Sequence, residues 1–189
     1  MNIRTLLKHG SIAAVAGAVT ACAAAVPAVA STPTAERTAS AVVKPAAMNS
    51  YCTGRALPLD CWVTEPVVTQ ASTTYSAIQF QHGDYVTVTG GGCVQTGGSG
   101  KTWKRYVDPQ ADNGLYHGSY YIPGAMSGLT WFQYTNGSKW YVSGSGGSLV
   151  LGYQDDGYGD NGYWSHDDGT GDQCKGVGNA WVHIVISAS

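Results

Sequence analysis

Extended segments with alternating apolar and polar side chains, parted by glycine-rich connections, set the tightest limit on what this chain can become. Thr73-Thr-Tyr-Ser-Ala-Ile-Gln-Phe80 and Asp84-Tyr-Val-Thr-Val-Thr89 alternate, and Ala180-Trp-Val-His-Ile-Val-Ile186 reads as a buried strand. A period of two sends successive side chains to opposite faces of a strand, so one face can be buried while the other stays wet. Residues 115–122, 130–135, 139–142 and 148–153 read as further strands. Asn136-Gly137 is a strong hairpin signal, which places 130–135 opposite 139–142. No segment beyond the N-terminal thirty residues sustains a helical stripe, and no repeat of fixed period is present. With 26 glycines spread between the short strands, the expected fold is all-β, an antiparallel sandwich or barrel in a single domain.

The first thirty residues read as a signal peptide. Arg4 and Lys8 make a basic start, residues 11–26 form an uncharged Ala/Val-rich run, and Ala28-Val29-Ala30 is a small-residue cleavage site before Ser31. Val19-Thr20-Ala21-Cys22 offers a lipobox-like alternative that would leave a lipid anchor on Cys22. No later stretch is long and apolar enough to span a membrane, so the expected location is extracellular. Residues 31–49, rich in Ala, Ser, Thr and Pro, read as a linker or propeptide, leaving 50–189 as the folded domain. Cleavage removes two bases and no acid, moving the formal net charge from −2 to −4. That balance argues against a nucleic-acid partner.

Cys52, Cys61, Cys93 and Cys174 remain after processing. An even number in an exported chain reads as two disulfides with three pairings open. Cys52–Cys61 would close a short loop, and Cys93–Cys174 would then tie two distant segments. A structural zinc site is the rival, but no Cys-x-x-Cys pair is present.

The densest chemistry lies in Leu151-Gly-Tyr-Gln-Asp155-Asp156-Gly-Tyr158-Gly-Asp160-Asn161-Gly-Tyr163-Trp164. Carboxylates, an amide and glycine-permitted backbone carbonyls are what a hard cation needs, and calcium tolerates irregular oxygen shells. The same composition also suits a solvated turn. The spacing is not that of an EF-hand, and no Glu closes the loop. Gly97-Gly-Ser-Gly100-Lys101-Thr102 imitates the end of a phosphate-binding loop, but Gln95 stands where that motif needs glycine. His117, His166 and His183 are candidate catalytic bases, yet no Gly-x-Ser-x-Gly elbow accompanies them. His183, between Val182 and Ile184, belongs on the outer face of a strand or satisfied in a core. The chain is therefore read as a binding protein and not an enzyme. Of its aromatic residues, Trp62, Trp131, Trp140 and Trp181 are expected in the core. Trp103, Tyr116, Tyr158 and Trp164 flank polar loops and are expected at a binding surface, where rings stack on sugars.

The domain resembles the calcium-dependent galactophilic lectins typified by the type I lectin of pseudomonads. Three stretches carry the likeness in order: residues 78–93 with Gly83-Asp84 between strands, the loop Asp112-Asn113-Gly114-Leu115, and residues 149–161 followed by the closing strand 181–186. The resemblance implies a jelly-roll β-sandwich, one calcium ion, and a galactose whose ring hydroxyls coordinate that ion. Side-chain oxygens of Asp155, Asp160 and Asn161 would hold the ion, with carbonyls of Thr96 and of the turn 156–158, assigned to Tyr158. Asn113 and Gln110 would contact the sugar in place of the family's Gln and His, and Asp155, Asp156 and Asp160 would face its hydroxyls. Trp164 would close over the ring. The chain departs from the pattern in a calcium turn about two residues shorter, in Asp at 160, and in a foreign insertion, residues 165–179. A single such site binds weakly, so avidity would come from a homo-oligomer. Two other functions compete: a protein-binding or inhibitor module with structural calcium, and a small secreted hydrolase using Asp residues or His166.

Overall fold

The computed structural model describes residues 49–54, 56–97 and 100–189. The expected signal peptide and residues 31–48 of the expected linker lie outside the described residues. Those described belong to one compact unit, Val42–Ser189, and form an all-β antiparallel sandwich. One sheet has the order β1 (Ser50–Thr53), β2 (Leu59–Thr64), β12 (Trp181–Ser187), β4 (Tyr85–Gly91), β9 (Lys139–Tyr141). The facing sheet runs β3 (Ser72–Phe80), β10 (Gly147–Tyr153), β7 (Gly118–Tyr121), β8 (Thr130–Trp131). A small third sheet, β11 (Asn161–Gly162), β5 (Cys93–Thr96), β6 (Trp103–Arg105), extends from one end. Among the described residues, no helix is long and apolar enough to cross a membrane.

Alternation builds the core as a period of two requires. Val86 and Val88, Val182, Ile184 and Ile186, and Cys61 and Val63 point inward from the first sheet. They meet Tyr75, Ile78, Phe80, Leu149 and Leu151 from the second. Strict alternation fails within β3. Ser148 pairs Gln79 but Leu149 pairs Tyr75, so a bulge spans residues 76–78 and shifts the inward parity from Tyr75 to Ile78.

The hairpin expected around Asn136-Gly137 does not form. β8 stops at Trp131, and Phe132–Thr135 makes one helical turn, α1. β9 pairs with β4 instead. Phe132 drives the difference: it is fully buried against Tyr120 and Tyr106, with ring centroids 4.7 and 5.6 Å away. It lies so close to Gly90 that any side chain there would crowd it. Asn136 then supplies what a neighbouring strand would have supplied. Its Oδ1 accepts the Gly90 N–H at 2.7 Å and its Nδ2 donates to the Gly90 carbonyl at 3.3 Å.

Trp164 is exposed as expected, but the other five tryptophans depart from their expected placement. Trp103, expected at a surface, is fully buried. Trp62, Trp131, Trp140 and Trp181, expected in the core, are all half-buried. Trp62 lies on the outer face of the first sheet, stacked on His183 at 4.2 Å, while Asp60 accepts from the Trp62 indole and pairs with His183 Nε2 at 3.0 Å. Trp140 donates to the Tyr120 hydroxyl. Each of these four has an aromatic partner that lets its ring sit on the outer face or at an edge strand of a sheet, where indole is amphipathic enough to be stable. Both disulfides form: Cys52–Cys61 across paired positions of β1 and β2, and Cys93–Cys174 between β5 and the insertion.

Candidate functional site

The acidic turn leaves β10 at Tyr153 and returns as β11. Gln154 anchors it, donating to the His117 carbonyl at 2.9 Å and accepting from the Tyr116 N–H at 2.6 Å. Asp155 follows, buried, with Oδ1 accepting from the Gly157 N–H at 3.1 Å. Its Oδ2 is buried with no partner. Burial pushes the Asp155 carboxyl above its ordinary value, and the Gly157 N–H and the Asn161 amide only partly offset the rise. Asn161 is completely buried; its Nδ2 donates to the Val68 carbonyl at 3.0 Å, and its Oδ1 has no partner. Asn161 pairs with Thr96 across β11 and β5. Asp156 and Asp160 are exposed, with the Asp160 carboxylate beside Gly97. Tyr158 donates its hydroxyl to the Tyr153 carbonyl at 3.1 Å, closing the turn.

The loop carrying Gln110 and Asn113 lies against this turn through the Tyr116–Gln154 pairing. The Tyr116 phenol is pushed up by burial and then by the charges of Asp156, Asp155 and Asp160. Three non-glycine residues of the loop have left-handed backbones: Ala111 (φ 53°), Asn113 (φ 49°) and Tyr116 (φ 67°). Such conformations persist only where the surroundings enforce them. Lys104, almost buried, donates to the carbonyls of Gln110 and Ala111 at 3.0 and 3.2 Å and to Thr170 Oγ1 at 3.2 Å. Its ammonium also sits 5.6 Å from the Tyr116 ring centre. Burial lowers the Lys104 amine, with Asp112 opposing. Asp112 accepts from the Gly114 N–H and pairs with His117 Nε2 at 2.8 Å, and the His117 ring stacks on Trp131 at 4.0 Å.

The insertion is folded back onto β6. Asp167 accepts from the backbone N–H groups of Thr102, Trp103 and Gly169 and from the Thr102 hydroxyl, and these bonds hold its carboxyl below the usual value against burial. Gln173 Oε1 accepts from the N–H groups of Arg105 and Gln110. Trp103 donates to the Ser165 carbonyl at 2.6 Å and packs against His166 at 4.1 Å. That bond and Asp167 explain its burial: the insertion covers it. Trp164 is 64% exposed and lies flat against Gly162.

Asp155, Asp156, Tyr158, Asp160 and Asn161 thus share one turn, Thr96 pairs with Asn161 from β5, and Asn113 lies on the adjoining loop. Gln110 is drawn instead toward the insertion, its Oε1 near Gly171. Sequence reading passed over Lys104 and gave Tyr116 only a general place at a binding surface. A lysine in a short polar strand carries no local sign that it will be enclosed by carbonyls from two loops. Among the described residues, no group of three or more His, Cys, Asp or Glu is arranged to hold a metal. The three carboxylates of the turn are thus not gathered as one cage, and the unpartnered oxygens here are those of Asp155 and Asn161. No family model, curated protein or solved structure matches the chain.

Proposed function

We propose that this protein is a secreted, calcium-dependent carbohydrate-binding protein with the jelly-roll connectivity and galactose-type preference of the lectins it resembles. One observation carries the reading: the adjacent side chains of Asp155 and Asn161 each keep a buried oxygen, Oδ2 and Oδ1, with no hydrogen-bond partner. A buried acceptor left unpaired costs about 1–3 kcal/mol, more when charged. A hard cation between them satisfies both, and Asp160 and Asp156 add charge at its open side. The donor set fits calcium, which accepts carboxylate, amide and carbonyl oxygens in irregular shells. Bound calcium supplies positive charge and coordination positions that vicinal hydroxyls take over from water.

The chain's own residues orient the sugar. Asp155 and Asp160 accept hydrogen bonds from the hydroxyls that approach the ion, and charge makes those bonds stronger than neutral ones. Asn113, held in its left-handed conformation at an exposed position, contacts the sugar from the adjoining loop. The test is calorimetric titration of galactose and other monosaccharides into the mature domain, with calcium and after chelation. Heat that appears only with calcium supports the reading. Calcium uptake with no sugar heat replaces it with a protein-binding module whose calcium is structural.

A further inference from the structure

Beside the acidic turn lies a cavity of about 240 Å³ whose walls include Glu65, Val67, Thr69, Asn161, Gly162 and Trp164. We infer that it is a second sugar subsite, seating the penultimate pyranose of an oligosaccharide whose terminal residue is held at the Asp155–Asn161 turn. The inference rests on the proposed carbohydrate function and adds a subsite to it.

Three features select this occupant. The first is continuity, because Asn161 belongs both to the cation-suited cluster and to the cavity wall. The second is chemistry. Trp164 offers an exposed indole, and Glu65 offers a carboxylate, so an apolar ring face and hydroxyl donors are matched on one ligand. The size suits one ring, since cavities for larger ligands run to about 300–1,000 Å³.

The third feature is rigidity. The wall 65–68 is tied down by four side chains. Val67 N–H donates to the Tyr75 hydroxyl at 2.8 Å, and Tyr163 donates to the Pro66 carbonyl at 2.8 Å. Asn161 donates to the Val68 carbonyl, and Asn179 donates to Glu65 Oε1 at 2.6 Å. Glu65 itself holds a left-handed backbone, φ 52°, at the start of this wall. A non-glycine residue takes that conformation at a cost, and such residues gather at binding sites. A preformed wall spares the ordering cost that weakens flexible sites. Trp164 is not pinned by the core; it rests on Gly162, where a Cβ would collide with its ring. Glycine at 162 is thus what lets the indole lie flat as a cavity wall.

The test is a panel of galactose-terminated disaccharides differing in linkage and anomer, titrated with calcium and compared with methyl galactoside. It is run on the wild-type domain, Trp164→Ala and the cavity-filling Thr69→Trp. At least one disaccharide is expected to bind about five-fold or more tighter than the monosaccharide, with that ratio falling to about one in both variants. A panel in which no disaccharide exceeds the monosaccharide, or a ratio that survives both substitutions, overturns the subsite and leaves the proposed function standing. If no sugar binds in calcium, the proposed function fails and the subsite with it.

Discussion

Asp155 concentrates the electrostatic conflict of this domain. Its carboxyl titrates above the ordinary aspartate value because burial disfavours the charged form. A group raised in the folded state contributes its stability below the unfolded pKa and loses it as pH rises through the folded value. The cation-free domain is therefore expected to lose stability from this residue as pH climbs out of the acid range, and calcium is expected to restore it. The melting-temperature gain from calcium should be larger at pH 7.5 than at pH 4, read by scanning calorimetry in calcium and in chelator. Asp155→Asn should abolish the calcium response while melting no lower than wild type in chelator at pH 7.5. Asn113→Ala, at an exposed position, should weaken sugar by about ten-fold and leave calcium affinity intact. Loss of calcium binding in that variant would remove Asn113 from the sugar side of the site. Acids spaced by glycines made Asp155, Asp160 and Asn161 legible in the sequence. Lys104 was not legible, because its carbonyl partners come from residues 110 and 111, and its hydroxyl partner from residue 170.

At the scale of elements, alternation located β3, β4, β10 and β12, since one buried face leaves a direct mark on sequence. It misplaced the segment after β8, where the burial of one ring, Phe132, outweighed a local hairpin signal. It also could not sort the tryptophans, whose burial depends on which distant loop covers them. Trp103 is buried because the insertion arrives through Asp167. The loop from Gln110 to His117 depends on its support from beneath: Lys104→Met keeps the bulk and removes the three hydrogen bonds. That variant is expected to lower sugar affinity about ten-fold or more with little change in calcium affinity. Equal loss of both in titration would show that Lys104 supports the whole site and not the sugar loop alone. Replacing Cys93 and Cys174 together by serine should cost about 4 kcal/mol, as expected for a crosslink closing a loop of this length. A denaturation midpoint within error of wild type would contradict that.

Over the described residues, the two main sheets share one apolar core, to which the third sheet adds Val94, while Cys93, Trp103 and Cys174 form a second small core. Calcium at a hundredfold excess over its Kd should add about 2.7 kcal/mol, a rise of ~8 °C in melting temperature for a domain of this size. The insertion meets this body along most of its length: Ser165 and Asp167 on β5 and β6, Asp168, Thr170 and Asp172 on Lys101 and Lys104, Gln173 on the 110–117 loop, the Cys93–Cys174 bond, and Asn179 on Glu65. None of these enters the main core between the sheets. Residues 165–179 thus form the roof of a second, smaller core, closed over Trp103 and Cys93 at the end of the sandwich. A change inside this roof reaches the third sheet and the 110–117 loop at once, while the core between the two main sheets keeps its own contacts.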